Sequence, residues 1–402
     1  MIKVNNKVYK IFLSAGEASG DNLGAELITS LKKGRKGRYV FYGIVGHNME
    51  KAGNIKSIFP IQELSVIGYF EVVPKLFKIL FRLLQATLFI RKIKPNLIIT
   101  IDAPGFNFLL AKFARVLKID THIIHYVAPT VWAYKPERAK QCAKLFDYMM
   151  VIFPFEKKYF DDVGLKCSYV GNPTISKTNH YTGEQKTQIK QKYGLSGKKI
   201  ISIMPGSRDN ELNHHLPILK EFVQKMNHKY NNLHFVIHTL NNTEDRIKEC
   251  FCMENVLISK DAISKIELSS SSDLIVCKSG TSVLESVAKV VPIIAFYKVN
   301  SLTAYILKRK LKIKYVTICN IMMNQPIIPE LLQENFSTRN LLKESKKLLY
   351  NSKAKEKQRK ALNLFLSQFN PNTDNKIKIE KIQDIVHILK KENNFFKSLK
   401  TW

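Results

Sequence analysis

The sequence predicts an α/β protein made of two doubly wound domains that face a central cleft. Strand-like runs rich in Ile and Val alternate with helical patterns. The alternation stops at a polar stretch and then restarts, and in both series turns of small residues follow the strand-like runs. Strands that are apolar along their whole length belong to parallel sheets covered on both faces. Ligands of such sheets bind beyond the carboxyl ends of the strands, so the cleft is where chemistry is expected.

In order, the first series reads "VYKIFLSA", "YVFYGIVG", "NLIITIDA", "THIIHYVA" and "YMMVIFP", with helical patterns over Asp21 to Lys33 and Asn107 to Leu117. A polar stretch from Ser176 to Gly197 reads as a linker with one short helix. The second series reads "KKIISIMPGSR", "LHFVIHTL", "VLISK", "LIVCKSG", "PIIAFYK" and "YVTICN". The expected domains are residues 1–173 and 174–350. Residues 351–402 are expected to form helices that pack back on the first domain or on a dimer partner, with a loose tail after Asn393 that ends in "FFKSLKTW".

At 402 residues, with 45 % hydrophobic and 24 % charged residues, the chain has the composition of a globular protein with a core in each domain. The formal charge of +31, from 64 Lys+Arg against 33 Asp+Glu, suits polyanionic partners. It also suits plain residue usage, because Lys recurs throughout. The six cysteines form no CxxC pair, which argues for free thiols in a reducing compartment and no zinc site. The apolar part of the N-terminus is too short for a signal peptide, so a cytosolic protein is expected. No run is long enough to span a bilayer. The segment from Pro74 to Lys92 comes nearest: Pro74 suits a first helical turn, and Lys75, Lys78, Arg82 and Gln85 share one face. The wide apolar remainder is either core or an interfacial surface.

The turns carry the candidate chemistry. "SAGEASGDNLGAEL" brings Glu17, Ser19 and Asp21 to the end of the first strand and is not the glycine pattern of a nicotinamide site. "IDAPGFN" places Asp102 where a turn stops a strand, either as a general base or as the cap of the following helix. "MPGSRDNEL" offers Gly206, Ser207 and Arg208, whose guanidinium suits a phosphate. "CKSGTSVLE" offers Ser279, Gly280, Thr281 and, one turn into its helix, Glu285. Alone it reads first as an ordinary βα turn with a hydroxyl cap and only second as an anion site. Two such turns in one domain favour a pyrophosphate site. In that case Glu285 would accept from ribose hydroxyls, and otherwise it is an exposed helix carboxylate.

Taken together, "GEASGD", "IDAPGFN", "HYVAPTVWAY", "FPFEKKYF", "PGSR", "SGTSVLE" and "YVTICNIMMNQPIIPELLQ" resemble, in order, the lipid-A-disaccharide synthase family, from about Val8 to at least Gln333. The resemblance implies a GT-B arrangement of Rossmann-like domains and an inverting glycosyl transfer. UDP-2,3-diacylglucosamine would react with 2,3-diacylglucosamine 1-phosphate (lipid X) to give the β-1,6-linked disaccharide of lipid A and UDP. It implies no cofactor or metal, and a peripheral position on an anionic membrane surface at the cytoplasmic face of the inner membrane. Asp102 then matches the base and Arg208 the residue that meets the leaving UDP. Gly206, Ser207, Ser279, Gly280, Thr281, Glu285 and Asn320 match the donor side, and Glu17, Ser19 and Asp21 the acceptor side. Gly105 stands where many members have Asp, and "VGNP" where some have a Gly-His pair. A UDP-N-acetylglucosamine 2-epimerase would need acids and a His around the sugar, and "IDAPGFN" to "HYVAPTVWAY" is not that pattern. A nucleic-acid binder would interleave its cations with aromatics, whereas here they are dispersed.

Overall fold

A computed structural model of the chain describes residues 8–369, except 34–37, 65–71, 134, 177–180, 240–242, 302–303, 305–308 and 310–312. The expected loose tail and its "FFKSLKTW" end lie outside these residues. The chain forms two compact units, one reaching to Pro173 and the other spanning Thr174–Phe369.

The first unit holds β1 (Val8–Ala15), β2 (Arg38–Ile44), β3 (Leu97–Ile101), β4 (His122–Tyr126), β5 (Tyr148–Val151) and β6 (Cys167–Tyr169). They form one parallel sheet in the order β2-β1-β3-β4-β5-β6. Side chains alternate between two cores, as the pleat requires. Phe12 and Ile98 pack with Leu83, Ile90 and Leu110 on one face. Ile11, Leu13 and Ile99 pack with Leu27, Ile28 and Leu31 on the other. Burial on both faces explains why these strands read as continuous apolar runs. In this unit only β6 has no counterpart among the expected strands, because "CSY" is three residues long and its Ser168 and Tyr169 are only half buried.

The second unit repeats the plan with β7 (Lys199–Met204), β8 (Leu233–His238), β9 (Val256–Ser259), β10 (Leu274–Lys278), β11 (Ile293–Tyr297) and β12 (Glu330–Leu332). Their order is β12-β11-β10-β7-β8-β9, again all parallel. Ile201, Ile203, Phe235 and Val276 form one core with Leu212, Leu219 and Phe222 of the helix Asp209–Lys229. Ile200 and Val236 face Leu195 and Leu268 on the other side.

Two expectations change here. "YVTICN" is not a strand: Thr317 precedes the helix Ile318–Met323, and the edge strand is β12, farther along in "PELLQ". The Glu330 carboxylate is the cause, taking the N–H groups of Val316 (2.9 Å) and Thr317 (2.8 Å) that a strand would have given to its neighbour. The second unit also runs past residue 350. In the helix Ser352–Ser367, Gln358 donates to the carbonyls of Ile293 and Ile327 at 3.0 Å and accepts from Ile293 N–H at 2.8 Å. A buried amide spent this way fastens that helix to β11.

Candidate active site

In each sheet the strand order reverses at one point, between β1 and β3 and between β7 and β10. Loops diverge there and leave a crevice beyond the strand ends. All four turns singled out in the sequence stand at these two points.

At the first point, Asp102 follows β3 with φ +50° and Ala103 follows it with φ +45°. Two successive left-handed residues are costly, at about 1–2 kcal/mol each, although Asp is among the residues that tolerate the conformation. The kink ends the strand and lets the helix Pro104–Val116 start at once. Its N-cap is Ala103, with no side-chain cap, so Asp102 is not the capping residue. The Asp102 N–H donates to Tyr126 O at 2.9 Å. Its carbonyl accepts from Asn107 Nδ2 at 2.8 Å, and the same amide also takes Ile101 O and binds the Ser14 hydroxyl. Asn107, fully buried, therefore holds the Asp102 turn to both strands. Burial pushes the Asp102 carboxyl above its ordinary value, only partly offset by the Ala103 N–H.

Beside it, a Cβ on Gly16 would collide with the Ala103 Cβ, so only glycine lets the two turns lie this close. Glu17 and Ser19 are exposed on that turn. Asp21 is not: its carboxylate takes the N–H groups of Gly46 (2.9 Å), Asn48 (3.0 Å) and Met49 (3.0 Å) at the start of the helix His47–Gly53. Its carboxylate is thus engaged by the start of that helix, unlike the side chains of Glu17 and Ser19 on the exposed turn. Glu156 of "FPFEKKYF" is internal as well. It accepts from Trp132 Nε1 at 3.2 Å and Phe153 N–H at 3.1 Å, and burial pushes it up to about 7.

At the second point, Arg208 precedes the helix Asp209–Lys229, with its side chain 79 % exposed. Glu211, in the first turn, brings the two halves of this site together. It accepts from Ser207 N–H at 3.4 Å, lies 3.8 Å from Arg208 and pairs with Lys278 at 2.9 Å. Burial raises the Glu211 carboxyl, but the Lys278 ammonium, the Ser207 N–H and the Arg208 charge together outweigh it and the net shift is downward. His215, one turn on, bonds Pro205 O at 2.7 Å and Lys298 O at 3.1 Å, which ties the β7 turn to the end of β11. In the other turn, Gly280 at φ +147° is the N-cap, so the hydroxyls of Ser279 and Thr281 do not cap that helix. Glu285 is neither unpaired nor fully exposed, because Lys265 holds it at 2.7 Å. Asn320 is 1 % exposed and its amide is committed to the chain.

Sequence reasoning misses Glu211, Lys278, His215 and Asn107. Lys278 lies inside a quoted motif. A carboxylate in the first turn after "PGSR" is the only signal for Glu211.

The helix Val72–Ile93 shows both faces expected of it. Leu83, Ala86 and Ile90 are buried, while Phe77, Leu80, Phe81, Leu84 and Leu88 form an exposed stripe, with Phe77 at 73 % and Phe81 at 62 %. Arg82 and Lys78 pair with Glu63 at 2.7 and 3.3 Å. Among the described residues, no helix is long and apolar enough to cross a membrane.

Residues 11–396 match the family described as Lipid-A-disaccharide synthetase. A lipid-A-disaccharide synthase of Rickettsia bellii is 38 % identical over 354 residues, covering 87 % of this chain and 91 % of its own. That of Rickettsia typhi is 37 % identical over 352 residues, with the same coverage of 87 % and 91 %. Among solved structures, UDP-GlcNAc 2-epimerase from Neisseria meningitidis bound to UDP-GlcNAc superposes with a TM-score of 0.62 at 14 % identity, covering 94 % of this chain and 100 % of its own. A glycosyltransferase from Rickettsia africae gives 0.56 at 15 % identity, covering 96 % and 99 %. At such identities the likeness concerns the fold, two Rossmann-like domains as in GT-B enzymes.

Proposed function

The chain belongs to the lipid-A-disaccharide synthetase family, and from that premise we propose that it transfers the sugar of UDP-2,3-diacylglucosamine to the primary hydroxyl of lipid X, with inversion. Membership makes it a glycosyltransferase of lipid A biosynthesis. The two substrates and the stereochemistry are our reading. The observation that carries it is Asp102, a carboxylate fixed at a strand end by a left-handed turn and raised in pKa by burial. A raised carboxylate is a stronger base, better matched to a hydroxyl proton than an ordinary one.

Asp102 takes the proton of the acceptor hydroxyl as its oxygen bonds to the anomeric carbon, and the bond from that carbon to the UDP oxygen breaks. Negative charge grows on the departing diphosphate. Arg208 and the backbone of the Gly206–Ser207 and Ser279–Thr281 turns meet it, donors already in place when the charge appears. Glu17 and Ser19 serve the acceptor. Incubation of the purified protein with both lipids should give equal amounts of UDP and a β-1,6-linked disaccharide. UDP-sugar consumed without acceptor, with epimerised product, would overturn the reading.

Both substrates are acylated, and the exposed apolar stripe supports docking at the cytoplasmic face of an anionic membrane. The triple variant Phe77→Ser/Phe81→Ser/Leu84→Ser should pellet with anionic vesicles about tenfold less than the native protein, since each lost side chain forfeits its burial in the interface. Its melting temperature should hold, because the stripe is exposed. Equal pelleting would remove the stripe from the docking surface.

A further inference from the structure

The turn after β10 carries a cation as well as its small residues. Lys278 ends that strand, its side chain is 21 % exposed, and its Nζ lies 2.9 Å from Glu211 Oε1. Arg208 reaches toward the same oxygen from the turn after β7, at 3.8 Å. One carboxylate, 5 % exposed, thus sits between two cations from two turns at the switch point of the sheet. The glycines show how close these groups lie to the bare backbone. A Cβ on Gly280 would stand 3.6 Å from Lys278 Nζ, and one on Gly206 would stand 2.8 Å from Glu211 Oε2.

The balance of charge decides what this cluster can do. A buried carboxylate needs one cation to offset its desolvation. Here it has two, and the excess positive charge faces the loops in which open α/β sheets hold their ligands. A diphosphate brings two negative groups, enough to engage both cations once Glu211 has shared one of them. We propose that Lys278 contacts the diphosphate of the nucleotide donor alongside Arg208, and that Glu211 positions the Lys278 ammonium before the ligand arrives. The inference rests on the reading of the second unit as the donor site. The competing account makes Lys278 only the internal counter-ion of Glu211, a role indifferent to phosphate.

Titration of the full-length protein with UDP by calorimetry, and with uridine by ligand-observed NMR, separates the two. Lys278→Met should weaken UDP roughly ten- to hundredfold, the usual worth of a charge-assisted contact. It should leave uridine unchanged and flatten the salt dependence of UDP binding. Lys278→Arg should recover most of the affinity. If Lys278→Met unfolds because Glu211 is left buried and unpaired, the double variant Lys278→Met/Glu211→Gln removes that charge and serves the same comparison. UDP affinity within about threefold of native, or an equal loss for UDP and uridine, would overturn the inference while leaving the donor site standing. Absence of UDP binding by the native protein would overturn the donor site itself, and this inference with it.

Discussion

Asp102→Asn abolishes most turnover, by roughly a hundred- to ten-thousandfold, the span that general-base help covers. The protein remains folded and still binds UDP. Asn is the right replacement on structural grounds. Position 102 has φ +50°, which Asn adopts at less cost than Ala, so a loss in Asn cannot be laid to backbone strain. Two anchors of the turn are main-chain groups, the 102 N–H to Tyr126 O and the 102 carbonyl to Asn107, and Asn keeps both. The pH profile supplies a second reading of the same group. A base works ionised, so the native rate falls as pH drops through the Asp102 pKa. Burial sets that pKa above the ordinary carboxylate value, so the fall begins nearer to neutrality than for an exposed Asp. The residual rate of the variant should lack this acid limb. Turnover within a few fold of native would transfer the base role elsewhere and leave the glycosyl transfer intact.

Position 102 also shows why parts of this site are legible in the sequence. A parallel strand buried on both faces carries no charged side chain along its length, so "NLIITI" announces its own end when Asp appears. The chain order of strands, turns and helices then places that Asp beyond a carboxyl edge. The same logic locates Arg208 and Ser279. It cannot locate what those turns lean on. Asn107 sits inside a helix in which a sequence pattern sees only one polar residue on an apolar face. Its partners are Ser14 near the end of β1 and Asp102 just beyond β3, which lie far apart in sequence. Glu211 and Lys278 find each other across two turns far apart in sequence, and nothing local to either predicts the pair. Asp21 shows the converse. A carboxylate after a glycine turn looks like a ligand group, yet it caps the helix His47–Gly53, which begins some twenty-five residues later. Local pattern fixes where the chain turns, and tertiary partners decide which side chains remain available.

Asn320→Ala should cost roughly 2–4 kcal/mol of stability and lower the melting temperature of the second unit by roughly 5–15 °C, with a small effect on UDP affinity. The expectation follows from where its amide goes. Oδ1 accepts the N–H groups of Ile327 and Ile328, both at 2.9 Å, and Nδ2 donates to Ile328 O at 2.8 Å and Glu330 Oε1 at 2.9 Å. Alanine leaves the buried Ile328 N–H and carbonyl without their partner, while the half-buried Ile327 N–H keeps only the Gln325 carbonyl. Each such loss carries a desolvation cost of about 1–3 kcal/mol, partly relieved by relaxation. Glu330 is already committed to Val316, Thr317 and the Thr317 hydroxyl, so it cannot fill the gap. The amide therefore staples the helix Ile318–Met323 to the start of β12, and any service it renders to the donor passes through the shape of that loop. Aspartate makes the sharper control, because its carboxylate can accept the two N–H groups but stands as a second negative charge against Glu330. Asn320→Asp should then melt low at neutral pH and regain stability toward acid, as one of the two carboxylates protonates. A variant that instead keeps its melting temperature and loses UDP binding would return Asn320 to direct contact with the donor.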